Sequence, residues 1–385
     1  MGKLKITIGN RRILSGQYGY FPYMTKLSDG QILVTFATGE DDLPTDFEVQ
    51  EYRTEKPFVN KSAFQYLEEN KLALANPLRT CDTAYWTIRS LDGGKTFEDY
   101  GMPFCMCVSE ISDGSVIGIS RLGIDNKDGT FIKIYRSSDM AASWSGPEYV
   151  PVLGQPLSMD KTIPYIIFHR SIKTTPDGAV LISAYTRFKG DTKDRVVVYR
   201  TDDNFKTLYY YSTAVCDPKN ESPHGINESV IEYTSDNRLV CVSRTNGYLP
   251  MVYTISKNDG ATWSDYHYIG SEGVDPDMVR MSNGLLACSY GRPGVFIMFS
   301  EDGEVWTDRT CVYHHPYQSF GLSYREKWDC EHTCGYTSIR EVSPGKLLLT
   351  YSAPAIPNDS LKSYSPLDSK QRLDFRIWGV DITIE

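Results

Sequence analysis

Long apolar runs are absent from this 385-residue chain, and none approaches the roughly 20 residues that a membrane-spanning helix needs. Residues 1–15 also lack the apolar region of a secretory signal. We therefore expect a protein of the cytoplasm, or a secreted protein if a signal has been removed. No membrane partner is expected.

Positive charge is scarce, since 40 lysines and arginines face 49 aspartates and glutamates and leave a net charge of −9. This sign argues against nucleic acid and anionic membranes as partners. The chain also lacks a glycine-rich phosphate loop and a basic run. An anionic small substrate is compatible with this composition only where local arginines overcome the overall charge.

Cysteine spacing gives no sign of a disulfide framework or a metal centre. The nine cysteines are odd in number and scattered, which favours reduced thiols. The segment Cys330-x-His332-x-Cys334, with His314 and His315 nearby, is a weak zinc pattern because alternating positions do not define a tetrahedral site. We expect no metal and no cofactor.

The chain instead contains six short turns, each followed by an apolar run. They centre on Asp29-Gly30, Asp113-Gly114, Asp177-Gly178, Asp236-Asn237, Asn283-Gly284 and Pro344-Gly345. Tight hairpins need positive φ angles, which Gly and Asn adopt at low cost. Six equivalent hairpins predict six equivalent β-sheets.

A second motif, the Asp-box Ser-x-Asp-x-Gly-x-Thr-Trp, follows each of the first five hairpins. Its copies begin at Ser90, Ser137, Thr201, Ser256 and Ser300. The Asp and Ser or Thr side chains can satisfy backbone amides of the loop, and the aromatic residue can pack beneath it. We interpret the motif as structural, because such a turn needs no substrate to explain it.

Repeats roughly 40 to 60 residues apart, each with two hairpins, predict four-stranded blades that close into an all-β, six-bladed propeller. The sixth blade lacks an Asp-box and has predicted strands at 336–342, 346–352 and 374–384. Its missing outer strand is best supplied by residues 4–14, so the N-terminus closes the last blade. Residues 1–385 then form a single domain.

One face of such a propeller is predicted to hold the chemistry. The start of the first strand and the end of the second strand of each blade lie opposite the hairpin turn. Four blades end the second strand with an arginine, namely Arg121, Arg187, Arg244 and Arg292. Each arginine could simply cap a strand, but four guanidinium groups around one axis repel each other unless carboxylates or a bound anion compensate them.

Two insertions, at residues 41–80 and 310–335, are predicted to emerge over that face. The first contains a predicted helix at 62–75 with one apolar side. The second is rich in aromatic and histidine side chains: Tyr313, His314, His315, Tyr317, Phe320, Tyr324 and Trp328. Aromatic loops on a rigid β-scaffold commonly form ligand walls, although such side chains also pack the insertion itself.

The Asp-boxes, the predicted blades and two local motifs resemble the sialidase (neuraminidase) superfamily over essentially the whole chain. Asn227-Glu228, with the next strand ending at Arg244, is similar to the family's Asn-Glu motif, and Gly335-Tyr336 opens a segment similar to the one with the catalytic tyrosine. The resemblance implies that the Tyr336 hydroxyl attacks the anomeric carbon while Glu228 takes its proton. A neutral phenol suits an anionic sugar, because the substrate carboxylate would repel a carboxylate nucleophile.

The same resemblance implies the substrate-binding residues. Arg244 and Arg292 match two of the three arginines that grip the substrate carboxylate in the family. Tyr20 stands where the third arginine belongs, and losing one such contact costs on the order of 2–5 kcal/mol, which predicts a ligand other than sialic acid. The further candidates for substrate contacts are Asp42, Arg187 and His169.

The family places its general acid, an aspartate, between the second and third strands of the first blade. The candidates in that segment are Asp41, Asp42, Asp46 and Asp82. Asp82 is favoured because it starts the third strand, where partial burial would raise its pKa. A hydrogen bond at the strand start explains this residue equally well.

Two functions are compatible with these residues, and both imply a carbohydrate partner. The first is an exo-acting, retaining glycoside hydrolase of sialidase-like type that acts on an acidic sugar. The second is a propeller without sialidase chemistry, which binds a glycan or cleaves a uronic-acid-type linkage, for example by elimination with His169 or Tyr20. The oligomeric state is left open.

Overall fold

The computed structural model describes residues 3–17, 19–37, 85–103, 105–126, 129–154, 166–188, 190–245, 249–292, 294–314, 335–354 and 375–385. Within these ranges the chain forms 25 strands and no helix. The prediction of an all-β fold with several sheets is therefore confirmed.

The strands follow one another in groups. The N-terminal pair is β1 (Ile6–Ile8) and β2 (Arg12–Ile13). The first three groups are β3 (Tyr20–Lys26), β4 (Ile32–Ala37), β5 (Tyr85–Ser90) and β6 (Glu98–Asp99); β7 (Cys107–Glu110), β8 (Val116–Asn126), β9 (Gly129–Ser137) and β10 (Ser145–Leu153); and β11 (Ile167–Thr174), β12 (Val180–Thr186), β13 (Arg195–Thr201) and β14 (Leu208–Val215). The last three are β15 (Ile226–Tyr233), β16 (Leu239–Thr245), β17 (Pro250–Ser256) and β18 (His267–Glu272); β19 (Val274–Arg280), β20 (Leu286–Gly291), β21 (Gly294–Ser300) and β22 (Thr307–His314); and β23 (Gly335–Ser343), β24 (Lys346–Pro354) and β25 (Phe375–Ile384).

Each group is an antiparallel meander in which strands adjacent in sequence pair with each other. The second and third meanders join into one eight-stranded sheet through β10 with β14 and β11 with β8. The first strands of the six groups touch in a closed ring, from β3 through β7, β11, β15, β19 and β23 back to β3. We call the side of this ring where the first strands begin the site face, and the opposite side the turn face.

The six predicted hairpin turns are confirmed, because each links the first and second strands of one meander on the turn face. The residues predicted to need a left-handed backbone adopt it: φ is +93° at Gly30, +61° at Asn237 and +88° at Gly284. Glycine and asparagine tolerate this conformation with little strain, so the turns form at low cost.

The Asp-boxes form the loops between third and fourth strands. Asp92 accepts hydrogen bonds from the amides of Lys95 at 2.9 Å and Thr96 at 3.0 Å. In the fourth copy Asn258 replaces the aspartate and accepts from the amide of Thr262 at 2.9 Å. These contacts agree with a structural role for the motif.

The N-terminus closes the last meander, as predicted. β1 pairs with β25 from Ile6 opposite Ile384 to Ile8 opposite Ile382, and β2 pairs with the same strand nearer its start. This pairing joins the two ends of the chain in one sheet.

Burial decreases outward from the ring of first strands. Every residue of β15 and β16 is buried, whereas the outer strand β18 exposes His267, Tyr268 and Gly270. Strands covered on both faces are usually apolar throughout. Charged side chains at the site-face ends of these strands, such as Glu228 and Arg244, therefore need partners that compensate their desolvation.

The whole first predicted insertion at 41–80, with its predicted helix at 62–75, lies outside the described residues, and so do residues 315–334 of the second. Residues 310–314 continue β22, so the second insertion begins later than predicted. Within the described part of the chain, no helix is long and apolar enough to cross a bilayer.

Candidate functional site

Five of the six first strands carry an irregularity in register near their beginning, on the site face. Each contains one non-glycine residue with a left-handed backbone: Phe21 (φ +54°), Arg170 (+50°), Glu228 (+30°), Asp275 (+52°) and Tyr336 (+51°). Such residues are uncommon and tend to cluster where function requires an unusual geometry. The repeated bulge therefore marks the site face as the candidate site.

Glu228 is held by two donors from neighbouring strands. Arg244 Nη1 donates to Glu228 Oε1 at 2.7 Å, and the backbone amide of Asp275 donates to Glu228 Oε2 at 3.1 Å. Burial acts to raise the pKa of the Glu228 carboxyl, but Arg244 and then His169 outweigh it and lower the pKa below its usual range. The group is therefore a carboxylate at neutral pH.

Tyr336 is the corresponding residue of the last meander. Its hydroxyl accepts a hydrogen bond from Arg292 Nη2 at 3.1 Å, and the Arg292 guanidinium carbon lies 5.2 Å from the centre of its ring. Burial raises the pKa of the Tyr336 hydroxyl above its usual value, and Arg292 opposes this rise. The phenol is thus neutral, with a cation placed to stabilise negative charge on its oxygen.

Tyr336 and Glu228 lie close enough for their charges to interact. The Glu228 carboxylate raises the pKa of the Tyr336 hydroxyl, and both groups raise the pKa of Arg292. In this structure no direct hydrogen bond joins the two side chains: Tyr336 is bonded to Arg292 and Glu228 to Arg244. The two groups therefore interact through their charges and not through a direct hydrogen bond in this structure.

An aromatic cluster occupies the position expected for a third arginine. The ring centres of Tyr20 and Phe21 lie 4.9 Å and 4.1 Å from that of Tyr336, and Phe375 lies 5.0 Å from Tyr20. The guanidinium carbon of Arg121 lies 4.6 Å from the centre of the Phe21 ring. Three of the four predicted arginines, Arg121, Arg244 and Arg292, thus surround one group of catalytic candidates.

The floor beneath these residues is a buried ion cluster made of His169, Arg170 and Asp275. Arg170 Nε donates to Asp275 Oδ1 at 2.7 Å, and its Nη2 donates to Asp275 Oδ2. Its Nη1 reaches the carbonyls of Pro22, at 2.9 Å, and Thr337. One side chain from the third meander therefore contacts the fifth, sixth and first meanders and ties the ring together across its centre.

A second buried pair lies further along β19. Asp277 Oδ2 accepts from Arg340 Nη1 at 2.7 Å and from the amide of Ile339 at 2.9 Å. Burial acts to raise the pKa of Asp277, but Arg340 and Arg170 outweigh it and lower the pKa. Asp275 and Asp277 are thus two enclosed carboxylates on one strand, of which only Asp275 contacts Glu228.

Close packing of glycine backbones fixes the position of Tyr336. A Cβ atom at Gly291, the last residue of β20, would lie 2.5 Å from the Cα of Gly335 and 3.0 Å from the amide nitrogen of Tyr336. Only glycine allows this approach of the fifth and sixth meanders. No local sequence pattern predicts this role of Gly291.

The remaining predicted site residues have other surroundings. Arg187 Nε donates to Asp194 Oδ1 at 2.7 Å, and Asp194 also accepts from Asn227 Nδ2 at 3.0 Å. His169 is 1% exposed and lies in the ion cluster beneath Glu228 rather than on the open surface of the site. Asp82 and Asp42 lie outside the described residues, so the general acid stays a prediction.

Two arginines of the site retain unused hydrogen-bonding capacity. Arg244 Nε and Arg292 Nε are buried and have no hydrogen-bond partner among the residues that the structure describes. Guanidinium groups bind carboxylates through paired N–H donors. Within the same ranges, no three His, Cys, Asp or Glu side chains come together as a metal site.

Comparison with protein families finds one match. The sequence model of the BNR repeat-like domain matches residues 115–348, which is more than half of the chain. Comparison with curated proteins gives no significant match.

Solved structures with the same fold share little sequence with the chain. A protein of unknown function from Dyadobacter fermentans aligns with a TM-score of 0.65 at 16% identity, over 99% of each chain. The GH93 α-L-arabinofuranosidase of Fusarium graminearum, solved with arabinobiose, aligns with a TM-score of 0.60 at 14% identity over 98% of each chain. The Hadza microbial sialidase Hz136 aligns with a TM-score of 0.55 at 15% identity, over 88% of this chain and 64% of that one. At such identities the likeness concerns the fold.

Proposed function

We propose that this chain, which belongs to the BNR repeat-like domain family, is a glycoside hydrolase built as a six-bladed propeller. The six meanders are its blades, and the site face is the mouth of its active site. The substrate is the glycoside of an acidic sugar, cleaved from the end of a glycan with retention of configuration. The structural neighbours include a sialidase and an arabinofuranosidase, which supports a hydrolase of sugars.

One observation carries the proposal: a neutral phenol, a carboxylate and three arginines are gathered on the site face of the ring. Glu228 compensates Arg244, while Arg292 adds positive charge beside Tyr336. The whole chain is acidic, so this local positive excess is the feature that favours an anionic ligand. The guanidinium groups of Arg244 and Arg292 are suitable partners for its carboxylate.

In the proposed reaction the Tyr336 oxygen forms a bond to the anomeric carbon while the bond from that carbon to the leaving oxygen breaks. Glu228 takes the phenolic proton, and an acid, for which Asp82 is the candidate, protonates the leaving oxygen. Water then attacks the same carbon and gives a proton to the acid deprotonated in the first step, the bond to Tyr336 breaks, and Glu228 returns the proton to the phenolic oxygen. Two displacements at one carbon retain the configuration.

Arg244 links substrate binding to the strength of the base. In the unliganded arrangement its guanidinium lowers the pKa of Glu228, which makes the carboxylate a weak proton acceptor. A substrate carboxylate that binds Arg244 adds negative charge beside Glu228 and raises its pKa. An acidic sugar therefore strengthens the base that its own cleavage requires.

A second candidate function is favoured by the aromatic cluster. Tyr20 and Phe21 fill the position of the third arginine and offer rings rather than charge. Such a surface suits glycan binding, or cleavage of a uronic-acid-type linkage, without a tyrosine nucleophile. Under this hypothesis the hydroxyl of Tyr336 forms no covalent bond with the substrate.

The two candidates are separated with a panel of aryl glycosides of acidic and neutral sugars, including a sialoside. We expect wild type to release the aryl group from an acidic glycoside and Tyr336→Phe to lose this turnover while it still binds the sugar. Tyr336→Phe with nearly unchanged turnover would reject the tyrosine mechanism. An unsaturated product that absorbs in the near ultraviolet would identify an elimination instead.

A further inference from the structure

His169 lies beneath Glu228 between two oxygen acceptors. Its Nδ1 is 3.1 Å from the carbonyl oxygen of Ser229, and its Nε2 is 2.7 Å from Asp275 Oδ1. A carbonyl and a carboxylate both accept hydrogen bonds, so an imidazole with hydrogen on both nitrogens satisfies both contacts. That form carries a positive charge.

Both partners of His169 also determine where Glu228 lies. Ser229 follows Glu228 in the chain, and its carbonyl additionally accepts from Ser183 Oγ at 3.2 Å, so the backbone beside the carboxylate is fixed from the third meander. Asp275 donates its amide to Glu228 Oε2 at 3.1 Å. His169 thus connects the backbone of Glu228 with the residue that binds its carboxylate.

Asp275 is itself firmly oriented. Its side chain is fully buried and accepts from Arg170 Nε at 2.7 Å in addition to His169. Its backbone is left-handed, with φ at +52°, and this conformation accompanies the amide bond to Glu228. A strained residue persists only where the surrounding contacts hold it, and here they are the two cations of the ion cluster.

We infer that His169 and Asp275 form a positioning pair that holds the Glu228 carboxylate in place, with the positive charge of His169 beside it. The inference rests on the proposed function for the role of Glu228 as base. It assigns His169 no contact with the substrate, which agrees with the burial of its side chain.

Five groups face Glu228 from the surrounding strands: Arg244 from β16, His169 from β11, Asp275 from β19, Arg292 beyond the end of β20 and Tyr336 from β23. After burial, Arg244 and His169 have the largest influence on the pKa of Glu228, and both lower it. Removing the charge of His169 is therefore expected to raise the pKa of Glu228.

The test is a titration of the Glu228 carboxyl by difference infrared spectroscopy on the full chain, with Glu228→Gln to assign its band. In His169→Gln we expect the midpoint to rise by about one pH unit or more, as expected for loss of a nearby opposite charge. His169→Asn carries the same expectation should the first variant fail to fold. On a glycoside that wild type cleaves, we expect the loss of the carboxylate's position to outweigh its higher basicity, so that kcat falls by about tenfold with little change in KM.

Asp277→Asn is the matched control, because it removes an equally buried, ion-paired carboxylate from the same strand without touching Glu228. Asp277→Asn is expected to destabilise the fold but to leave the midpoint of the Glu228 titration unchanged. An unchanged midpoint in both His169 variants, or an equal shift in Asp277→Asn, would overturn the positioning pair. The titration needs no substrate, so a wild type that cleaves no glycoside would reject the proposed function alone.

Discussion

Both ends of the first strands contain residues with a left-handed backbone, but the residue types differ between the two ends. In the hairpin turns that end the first strands, positive φ falls on glycine or asparagine, as at Gly30, Asn237 and Gly284. On the site face it falls on Glu228, Asp275 and Tyr336, along with Phe21 and Arg170. Left-handed backbone is cheap for glycine and costs about 1–2 kcal/mol for an ordinary residue.

The electrostatics of the two ends differ in the same sense. On the turn face, Glu110 accepts from the exposed Ser28 and Glu341 from the exposed Ser282, so water also solvates these two carboxylates. On the site face, Asp275 and Arg170 are completely buried. Left-handed residues other than glycine or asparagine and desolvated charge thus coincide at the site-face ends of the first strands, where chemistry is proposed, and not at their hairpin turns.

The largest effect is expected when the site face loses its central cation. Arg170→Met leaves Asp275 buried with His169 as its remaining partner and removes the donors to Pro22 and Thr337. Loss of one partner of a buried ion pair costs about 3–5 kcal/mol. Chemical denaturation should show this loss in the free energy of unfolding.

The matched control is Lys5→Met, which breaks an ion pair with Glu385 whose side chains are 73% and 58% exposed. Exposed pairs contribute about 0–1 kcal/mol, so the stability should barely change. Similar losses in the two variants would remove the distinction between buried and exposed charges.

A smaller effect is expected from adding one methyl group to either end of the fifth meander. Gly291→Ala places its Cβ 2.5 Å from Gly335 and must displace the backbone next to Tyr336. A displacement of about 1 Å can cost on the order of 100-fold in rate, so kcat on a cleaved glycoside should fall accordingly.

Gly284→Ala tests the same substitution on the turn face. Its nearest neighbour would be Ser235 Cβ at 3.4 Å, and its φ of +88° costs about 1–2 kcal/mol in stability. Its kcat should equal that of wild type. A loss of activity in Gly284→Ala as large as in Gly291→Ala would show that the effect is general rather than local to the site.

The smallest effect is expected from an Asp-box residue, and it should depend on pH. Burial acts to raise the pKa of Asp203, but its hydrogen bonds with Thr207 and Thr201 outweigh burial and lower the pKa. A lowered pKa in the folded state means that the stabilisation is present above the ordinary aspartate range and is lost as the pH falls through the folded value.

Thermal unfolding of Asp203→Ala should therefore show a lower Tm than wild type at neutral pH, and the difference should shrink as the solution becomes acidic. Activity should be retained. A difference that grows towards acid pH would contradict the role given to the Asp203 carboxylate.

Local patterns predicted the scaffold well because hairpin turns and Asp-boxes act over a few residues. The turns at Gly30 and Asn237, the loop at Asp92 and the closure by residues 4–14 all follow from such signals. The resemblance to sialidases placed Glu228, Arg244, Arg292 and Tyr336 on one face, and the structure brings these residues together.

The support beneath the site could not be predicted in this way. Arg170 and Asp275 are 105 positions apart, and arginine does not favour the left-handed backbone that Arg170 adopts. Their conformation results from tertiary contacts rather than from local sequence. Arg187 is a case in which the strand-end position alone was misleading. It occupies the same place as the other strand-end arginines, but it pairs with Asp194.

The central claim, that the Tyr336 oxygen becomes bonded to the sugar, is tested most directly by trapping the intermediate. Wild type is treated with an activated fluorinated glycoside of the acidic sugar that it cleaves and is digested for mass spectrometry. We predict one added sugar on the peptide that contains Tyr336, and no added sugar in Tyr336→Phe. A sugar bound to Glu228, or steady turnover without any adduct at Tyr336, would contradict the account.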